Sequence, residues 1–274
     1  MKRTIFLFCC SLTATEIDSF TLRDPYMEES LGELDQIVQT YFDEALSKAN
    51  QANTCDSRAF EKAFQGATTG VFWDRIETDI DQSETLDRRT LTRQNSVYRD
   101  VNILEGTVLH MARLGFLLKI GDFYIGSDKF GHFFDTGYEY YKKSSLDDAM
   151  AYGEMTERTY YGLMTTSVYS YGDLAANLDG YFFWNRLTQG KNAYVTCQNN
   201  TWTQQNRFTF TEYINAAWDE GLNCNYYRND HVTNSVRGRI AALGLSCPVA
   251  PGRCPEMITR YGTLSEHVVS RGCF

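Results

Sequence analysis

The chain has 274 residues, enough for one large domain with a sizeable core, and it carries a net charge of −9 at neutral pH. An acidic chain is repelled by phosphate backbones, so nucleic acid is excluded as the expected partner. No stretch reaches the roughly 18 consecutive apolar residues of a membrane-spanning helix, so we expect no integral membrane span. The high aromatic content, with 18 Tyr, 17 Phe and 4 Trp, favours a partner with flat faces such as sugar rings.

The first 14 residues, MKRTIFLFCCSLTA, have the pattern of a short secretion signal, because Lys2 and Arg3 precede an apolar run. Removing residues 1–14 leaves a mature chain with a net charge near −11. We therefore expect a secreted or periplasmic protein whose single domain covers 25–274.

An even number of cysteines after a secretion signal indicates disulfide bonds. Six cysteines remain in the mature chain: Cys55, Cys197, Cys224, Cys247, Cys254 and Cys273. The sequence leaves many connectivities open; pairing near neighbours suggests Cys247–Cys254 and Cys197–Cys224, and Cys55–Cys273 follows by elimination. Because no C-x-x-C occurs and the four histidines are scattered, we expect no metal site and no cofactor.

Apolar residues recur at helical spacing in three N-terminal segments, 27–50, 57–80 and 101–120, and the polar stretch 81–95 predicts a loop or a solvated helix. A fourth helix follows a cap at Ser127-Asp128, and one of its faces carries Phe130, Phe133, Phe134, Gly137 and Tyr141. At its start Asp128 and Lys129 fit a cap and a salt bridge. His132 on this helix fits a partly buried histidine whose nitrogens have partners.

A capping box at residues 145–148 begins the next helix. Glu157 falls on the apolar stripe of this helix, and Glu154 lies at the edge of the stripe. Residues 159–171 are rich in β-branched and aromatic side chains and predict a small hairpin. Helical spacing resumes over 173–187.

The tail after residue 190 holds five of the six mature cysteines, a polar loop at 198–206 and two or three short helices. Together with the preceding elements, this predicts a mainly α-helical (α+β) domain with one small β element. The domain would have extra N-terminal helices and a disulfide-bonded C-terminal region.

The position of Glu157 suits a general acid. Burial on an apolar stripe raises the pKa of a carboxyl, and the negative end of the helix dipole acts in the same direction. The alternative is an exposed acid at a fraying helix end. Asp173 could supply a second carboxylate across the hairpin, but Ser170 and Asp173 also form a capping box, and we favour the cap. Asn177 would be buried and would need partners, which a sugar or the hairpin could supply.

The succession of helix, glutamate, short hairpin and helix resembles the core of the lysozyme superfamily. The segments YGLM and DLAANLDGYFFW are similar to the G-L-M and aliphatic-Asn-Gly-aromatic segments of goose-type lysozymes and lytic transglycosylases. Three stretches, 125–141, 156–184 and 208–224, resemble more closely a set of secreted bacterial proteins related to the deacetylation-specific lysozyme of a predatory bacterium.

The resemblance implies a modified lysozyme fold that hydrolyses the β-1,4 link between the amino sugars of peptidoglycan with two catalytic glutamates. Glu157 matches the acid before the YYG turn, and its partner would be Glu154 or Glu139. The glutamate of the transglycosylases lies further ahead of G-L-M than Glu157 does, so the loop here would be shorter. The expected partner is a peptidoglycan glycan strand, in the bacterial periplasm or in the wall of another cell.

Four tyrosines in or beside the predicted hairpin could wall a cleft and stack on sugars: Tyr160, Tyr161, Tyr169 and Tyr171. Ser170, Asn177 and His132 are further candidates for substrate contacts, and Glu154 could face the amine of a deacetylated sugar. An acidic chain suits a deacetylated wall, which is less anionic than intact peptidoglycan. The alternatives are a lytic transglycosylase, a non-catalytic wall-binding protein on the same fold, and an inhibitor or outer-membrane structural factor.

Overall fold

Helices form most of the regular structure, as the sequence predicts. The described residues also contain three short antiparallel pairs of strands, where the sequence predicts one small β element. The computed structural model describes residues 16–69 and 74–274. The predicted secretion signal, residues 1–14, lies outside this part of the chain. None of the helices in the described ranges is both long and apolar enough to cross a membrane.

The helices are α1 (Leu31–Gln51), α2 (Ser57–Thr68), α3 (Arg75–Gln82), α4 (Thr107–Met111), α5 (Asp128–Gly131), α6 (Gly137–Tyr141), α7 (Leu146–Arg158), α8 (Tyr171–Leu187), α9 (Asp230–Ala242), α10 (Cys254–Tyr261) and α11 (Ser265–Val268). A π-helical turn, His132–Thr136, joins α5 to α6. The strands are β1 (Leu117–Ile120), β2 (Phe123–Gly126), β3 (Val168–Tyr169), β4 (Val195–Gln198), β5 (Thr201–Gln204) and β6 (Tyr226–Tyr227).

The N-terminal helices pack against an aromatic core. The ring of Phe42 in α1 lies 4.7 Å from that of Phe64 in α2. The single helix predicted over 57–80 is wrong, because the chain leaves helical geometry after α2. Thr69 at the end of α2 has a ψ angle of 130°, and Asp74 before α3 has a ψ angle of 131°, both far from helical values.

The helix predicted over 101–120 is also wrong for most of its length. Only α4 is helical, and β1 pairs with β2 so that Leu117 lies opposite Gly126. Gly121 in the connecting turn has a φ angle of 58°, which glycine adopts without steric cost. The runs LLKI and FYIG on either side of this turn are a hairpin signal, but over so short a stretch they also satisfy helical spacing.

The helix predicted after Ser127 is present, but its cap is wrong. The Ser127 side chain makes no cap hydrogen bond, and its Oγ instead accepts a hydrogen bond from the backbone N–H of Phe116 at 3.1 Å. The π-helical turn interrupts this helix where His132 lies. Turns of this kind are rare, and they are frequent at functional sites.

The predicted capping boxes do begin α7 and α8. The hydroxyls of Ser145 and Ser170 each accept a hydrogen bond of 3.1 Å from the backbone N–H three residues later. α8 packs closely against the π-helical turn and α6. A Cβ on Gly180 would lie 2.0 Å from the carbonyl oxygen of Phe133 and 3.0 Å from Cα of Gly137. The close approach of α8 to the π-helical turn therefore requires glycine.

The local hairpin predicted over 159–171 is wrong. Residues 159–166 form successive turns, and β3 pairs with the distant β6, so that Val168 lies opposite Tyr227. The polar loop predicted over 198–206 contains the turn and the second strand of the β4–β5 hairpin instead. Its turn residues, Asn199 and Asn200, have φ angles of 51° and 61°, which asparagine tolerates.

All six cysteines of the described chain form disulfide bonds, as predicted, but the three predicted pairs are wrong. The bonds are Cys55–Cys197, Cys224–Cys247 and Cys254–Cys273. Distance along the sequence is misleading, because the end of α1 packs on the β4–β5 hairpin. There Asn50 accepts a hydrogen bond from the backbone N–H of Trp202 and donates one to its carbonyl oxygen.

Candidate functional site

A fully buried lysine lies at the centre of a cluster of charged side chains. The Nζ atom of Lys129 lies 2.8 Å from Oδ2 of Asp128, 2.6 Å from Oδ1 of Asp173 and 2.7 Å from Oε1 of Glu220. A buried ammonium is tolerated only when it is paired. Burial opposes the charged form of Lys129, but the three carboxylates outweigh burial and hold its pKa well above the usual value.

Three parts of the fold bring this cluster together. α5 supplies Asp128 and Lys129, the first turn of α8 supplies Asp173, and the loop before β6 supplies Glu220. Gly172 leaves room for the lysine side chain, because a Cβ at this position would lie 2.9 Å from Cε of Lys129. The salt bridge predicted between Asp128 and Lys129 is therefore present, but as one part of a larger buried network.

His132 extends the network towards solvent. Its Nε2 lies 3.1 Å from Oδ2 of Asp173, and its Nδ1 lies 3.0 Å from Oδ1 of Asn177. Asn177 is fully buried and donates a hydrogen bond of 3.4 Å to the hydroxyl of Tyr140. Burial lowers the pKa of His132, but the charge and hydrogen bond of Asp173 outweigh it and raise the pKa to about 10. The predicted need of Asn177 for partners is thus met within the protein.

Glu157 lies at the end of α7 with only 1% of its surface exposed. Its Oε2 accepts a hydrogen bond of 3.2 Å from the backbone N–H of Ser170. Its Oε1 has no hydrogen-bond partner among the described residues. Burial, together with repulsion by Asp173, raises the pKa of Glu157 to about 8, although the charge of His132 acts in the opposite direction. Glu157 is therefore mostly protonated at neutral pH.

Asp173 has the opposite charge state. Burial raises the pKa of its carboxyl, but the charges of His132 and Lys129 and their hydrogen bonds outweigh burial and hold the pKa well below its usual value. Ser170 lies between the two acids, since its Oγ is 2.9 Å from Oδ1 of Asp173 while its N–H donates to Glu157. One residue thus separates a protonated carboxyl from an ionised one.

A second group of carboxyls lies on the other side of Gly131. A Cβ at this glycine would lie 2.2 Å from Oε1 of Glu77 and 2.3 Å from Oδ2 of Asp74, so only glycine fits here. Burial raises the pKa of both carboxyls well above their usual values, and a hydrogen bond with Asp135 raises that of Asp74 further. Glu77 and Phe116 line an adjoining cavity of about 420 Å³.

Two of the predicted glutamates lie at the surface, apart from this network. Glu154 forms a contact of 2.6 Å with Nδ1 of His267 and a weaker one of 3.9 Å with Arg158. Glu139 forms an ion pair of 2.5 Å with Lys142. Among the described residues, Ser170 links Glu157 to Asp173, whereas neither Glu154 nor Glu139 forms a hydrogen bond or ion pair with either acid.

The predicted sugar-stacking tyrosines form two pairs. Tyr160, which is 49% exposed, meets Tyr161 at a ring distance of 4.7 Å, edge to face. Tyr169 is 5% exposed and meets Tyr171 at 5.1 Å. Tyr160 is thus the most accessible of the four, whereas Tyr169 mainly packs against the core.

Sequence reasoning missed the centre of the network and its second acidic group. Lys129 and Asp128 lie three and four residues before His132 on one helix, and this spacing was an available signal for a shared face. Glu220, Glu77 and Asp74 had no such signal, because tertiary packing alone brings them to the site.

No protein-family model, curated protein or solved structure matches the chain. The resemblance to the lysozyme superfamily therefore rests on the sequence segments 125–141, 156–184 and 208–224. The fold and the site define a mainly helical, disulfide-bonded protein with a buried cluster of acidic and basic groups.

Proposed function

We propose that the protein is a glycoside hydrolase of the lysozyme type that cleaves β-1,4 links between the amino sugars of bacterial peptidoglycan. The observation that carries this proposal is the pair of carboxyls on either side of Ser170. Glu157 is buried, and one of its oxygens has no hydrogen-bond partner in the described ranges, whereas Asp173 is held by Lys129 and His132. The substrate class comes from the sequence resemblance.

The two carboxyls have the charge states that glycoside hydrolysis requires. Such enzymes use one protonated carboxyl to protonate the leaving oxygen and one carboxylate to activate water or to stabilise the positive charge on the sugar. Environments that move two pKa values apart assign these roles. Glu157 would be the general acid, Asp173 would be the carboxylate, and His132 would position Asp173.

Substrate would approach from the side of His132 and Asp173. These side chains reach the surface, with 16% and 13% of their area exposed, and both are close enough to Glu157 for their charges to shift its pKa. Tyr160 and Tyr161 follow α7 directly and offer an exposed aromatic face of the kind on which sugar rings stack. The free Oε1 of Glu157 is the atom that would carry the donated proton.

Digestion of purified sacculi tests this proposal. The wild type is expected to release muropeptides with new reducing ends, and Glu157→Gln to lose at least about 10²-fold in rate, because Gln keeps the size but removes the proton donor. Glu139→Gln, a matched change on the surface, should keep the wild-type rate. Acetylated and chemically deacetylated sacculi should be compared, since the acidic chain favours the less anionic wall.

The products separate the alternatives. Anhydro-sugar ends, read by mass, would assign the chain to the lytic transglycosylases instead. Sedimentation with sacculi and no cleavage of either substrate would contradict the enzyme proposal and favour a wall-binding protein.

A further inference from the structure

Three side chains of the network have the spacing of metal ligands. Asp128 and His132 are four residues apart and lie on one face of the helix that runs from α5 into the π-helical turn. Asp173 faces them from the first turn of α8. One donor atom from each of the three residues lies within 4.8 Å of the other two. One imidazole with two carboxylates is a donor set that suits divalent transition-metal ions.

Lys129 contacts one carboxylate oxygen of Asp128 and one of Asp173. Its ammonium contacts Oδ2 of Asp128 and Oδ1 of Asp173, and the other oxygen of Asp173 faces Nε2 of His132 at 3.1 Å. Oδ1 of Asp128 has no hydrogen-bond partner in the described part of the chain, although only 7% of this residue is exposed. An unpaired buried oxygen is costly, so a ligand at this atom would relieve a real penalty.

The charges around Lys129 favour a divalent ion. Three carboxylates, from Asp128, Asp173 and Glu220, face its single ammonium. A proton on His132 supplies only one further positive charge, whereas a divalent ion with a neutral imidazole supplies two and balances the cluster.

A hydrogen bond orients the imidazole of His132 so that one ring nitrogen faces Asp173. Nδ1 of His132 lies 3.0 Å from Oδ1 of Asn177, and the amide of Asn177 contacts the hydroxyl of Tyr140. Nδ1 is thereby engaged away from the carboxylates, and Nε2 faces Asp173. Histidines that bind metals are held in this way by a second partner on the other ring nitrogen.

We propose that Asp128, His132 and Asp173 bind one divalent transition-metal ion, with Nε2 of His132 and one oxygen of each aspartate as ligands. Binding through Nε2 requires the neutral form of the imidazole. Each aspartate then bridges Lys129 and the ion. Exposure of the His132 and Asp173 side chains provides an entry path.

Calorimetric titration of the chelator-treated, full-length protein with Zn²⁺ and with Mn²⁺ tests the site directly. We expect one ion per chain. His132→Gln should weaken binding at least tenfold. His267→Gln is the matched control, because it removes the histidine of the surface pair with Glu154, and it should bind as the wild type does.

Asn177→Ala provides a second variant, which keeps all three ligands. It should weaken binding about 10- to 100-fold, as expected for loss of an outer hydrogen bond to a metal-binding histidine. Folding of each variant is checked by circular dichroism. No binding of either ion to the folded wild type, or equal losses in His132→Gln and His267→Gln, would overturn the proposal. Because no substrate is present, this outcome is independent of the glycoside hydrolase proposal.

Discussion

Two of the histidine–carboxylate pairs among the described residues, His132–Asp173 and His267–Glu154, differ in their surroundings. His132 and Asp173 are 3.1 Å apart, with 16% and 13% of their side chains exposed. His267 and Glu154 are closer, at 2.6 Å, but 43% and 30% of their side chains are exposed. Distance alone would rank the surface pair as the stronger interaction.

The comparison shows that burial and the neighbouring charges matter more than the length of the contact. Solvent weakens the attraction in an exposed pair, and such pairs typically contribute about 0–1 kcal/mol. The buried pair is surrounded by Lys129, Glu157 and Asn177, so each charge in it depends on the others. Removing one member therefore leaves a desolvated charge, whose cost exceeds the value of the lost contact.

Substitution of Lys129 should give the largest effect on the buried network around His132 and Asp173. Lys129→Met leaves three carboxylates without their ammonium, and we expect a loss of about 3–5 kcal/mol in the free energy of unfolding. Urea unfolding, followed by tryptophan fluorescence, measures this loss. Lys142→Met, which breaks the exposed pair with Glu139, should change stability by no more than about 0.5 kcal/mol. Equal effects of the two substitutions would show that the buried network has no special role.

The two glutamates of α7 offer a second test, through pH. The pKa of Glu157 is about 8 in the folded protein against 4.5 for an ordinary glutamate, so the folded state retains a proton that the unfolded state releases. This contribution to stability is fully present below pH 4.5 and is lost as the pH rises through 8. The loss has a limiting slope of about 1.4 kcal/mol per pH unit.

Glu157→Gln removes this titration. The variant should therefore gain stability relative to the wild type as the pH rises from 5 to 8, up to a few kcal/mol in total. Glu154→Gln, three residues earlier on the same helix, is the matched control. Unfolding midpoints in urea at a series of pH values provide the measurement, and parallel curves for the wild type and Glu157→Gln would contradict the assigned pKa.

Short-range sequence patterns correctly predicted those parts of the site that depend only on neighbouring residues. The capping boxes at residues 145–148 and 170–173 and the apolar stripe that includes Glu157 are all short-range features, and the structure confirms them. The hairpin over 159–171 failed because β3 finds its partner in β6, far along the chain. Glu220 joins the site through the same long-range packing and gave no signal in the sequence.

The helix over 101–120 failed for a different reason. Four-residue strands are too short to distinguish a period of 2 from one of 3.6, and only Gly121 with its positive φ marked the turn. The disulfide pairs failed because the β4–β5 hairpin packs against α1 and brings Cys197 to Cys55. For the disulfides, the deciding contact joins residues 142 positions apart, far outside the window that a sequence pattern covers.

Substitution of His132 and of His267 should have the smallest effects on stability, and it compares the buried pair directly with the exposed pair. His132→Gln leaves Asp173 and Asn177 without their best partner in a buried site, so we expect a loss of about 1–3 kcal/mol. His267→Gln should cost no more than about 0.5 kcal/mol, because Glu154 can be solvated by water instead. Both values are taken from urea unfolding at pH 5.5 with a chelator present, where ordinary imidazoles carry a proton.

Salt then separates the two pairs. Raising the ionic strength from about 0.1 to 1 M shortens the screening length from roughly 10 to 3 Å, which removes most of the attraction between exposed charges. The cost of His267→Gln should fall towards zero, whereas the cost of His132→Gln should persist, because few ions reach a pair that is mostly buried. If salt reduced both costs in the same proportion, solvent would reach Asp173 as freely as it reaches Glu154. The site would then not be enclosed, and the charge states assigned to Glu157 and Asp173 would be ruled out.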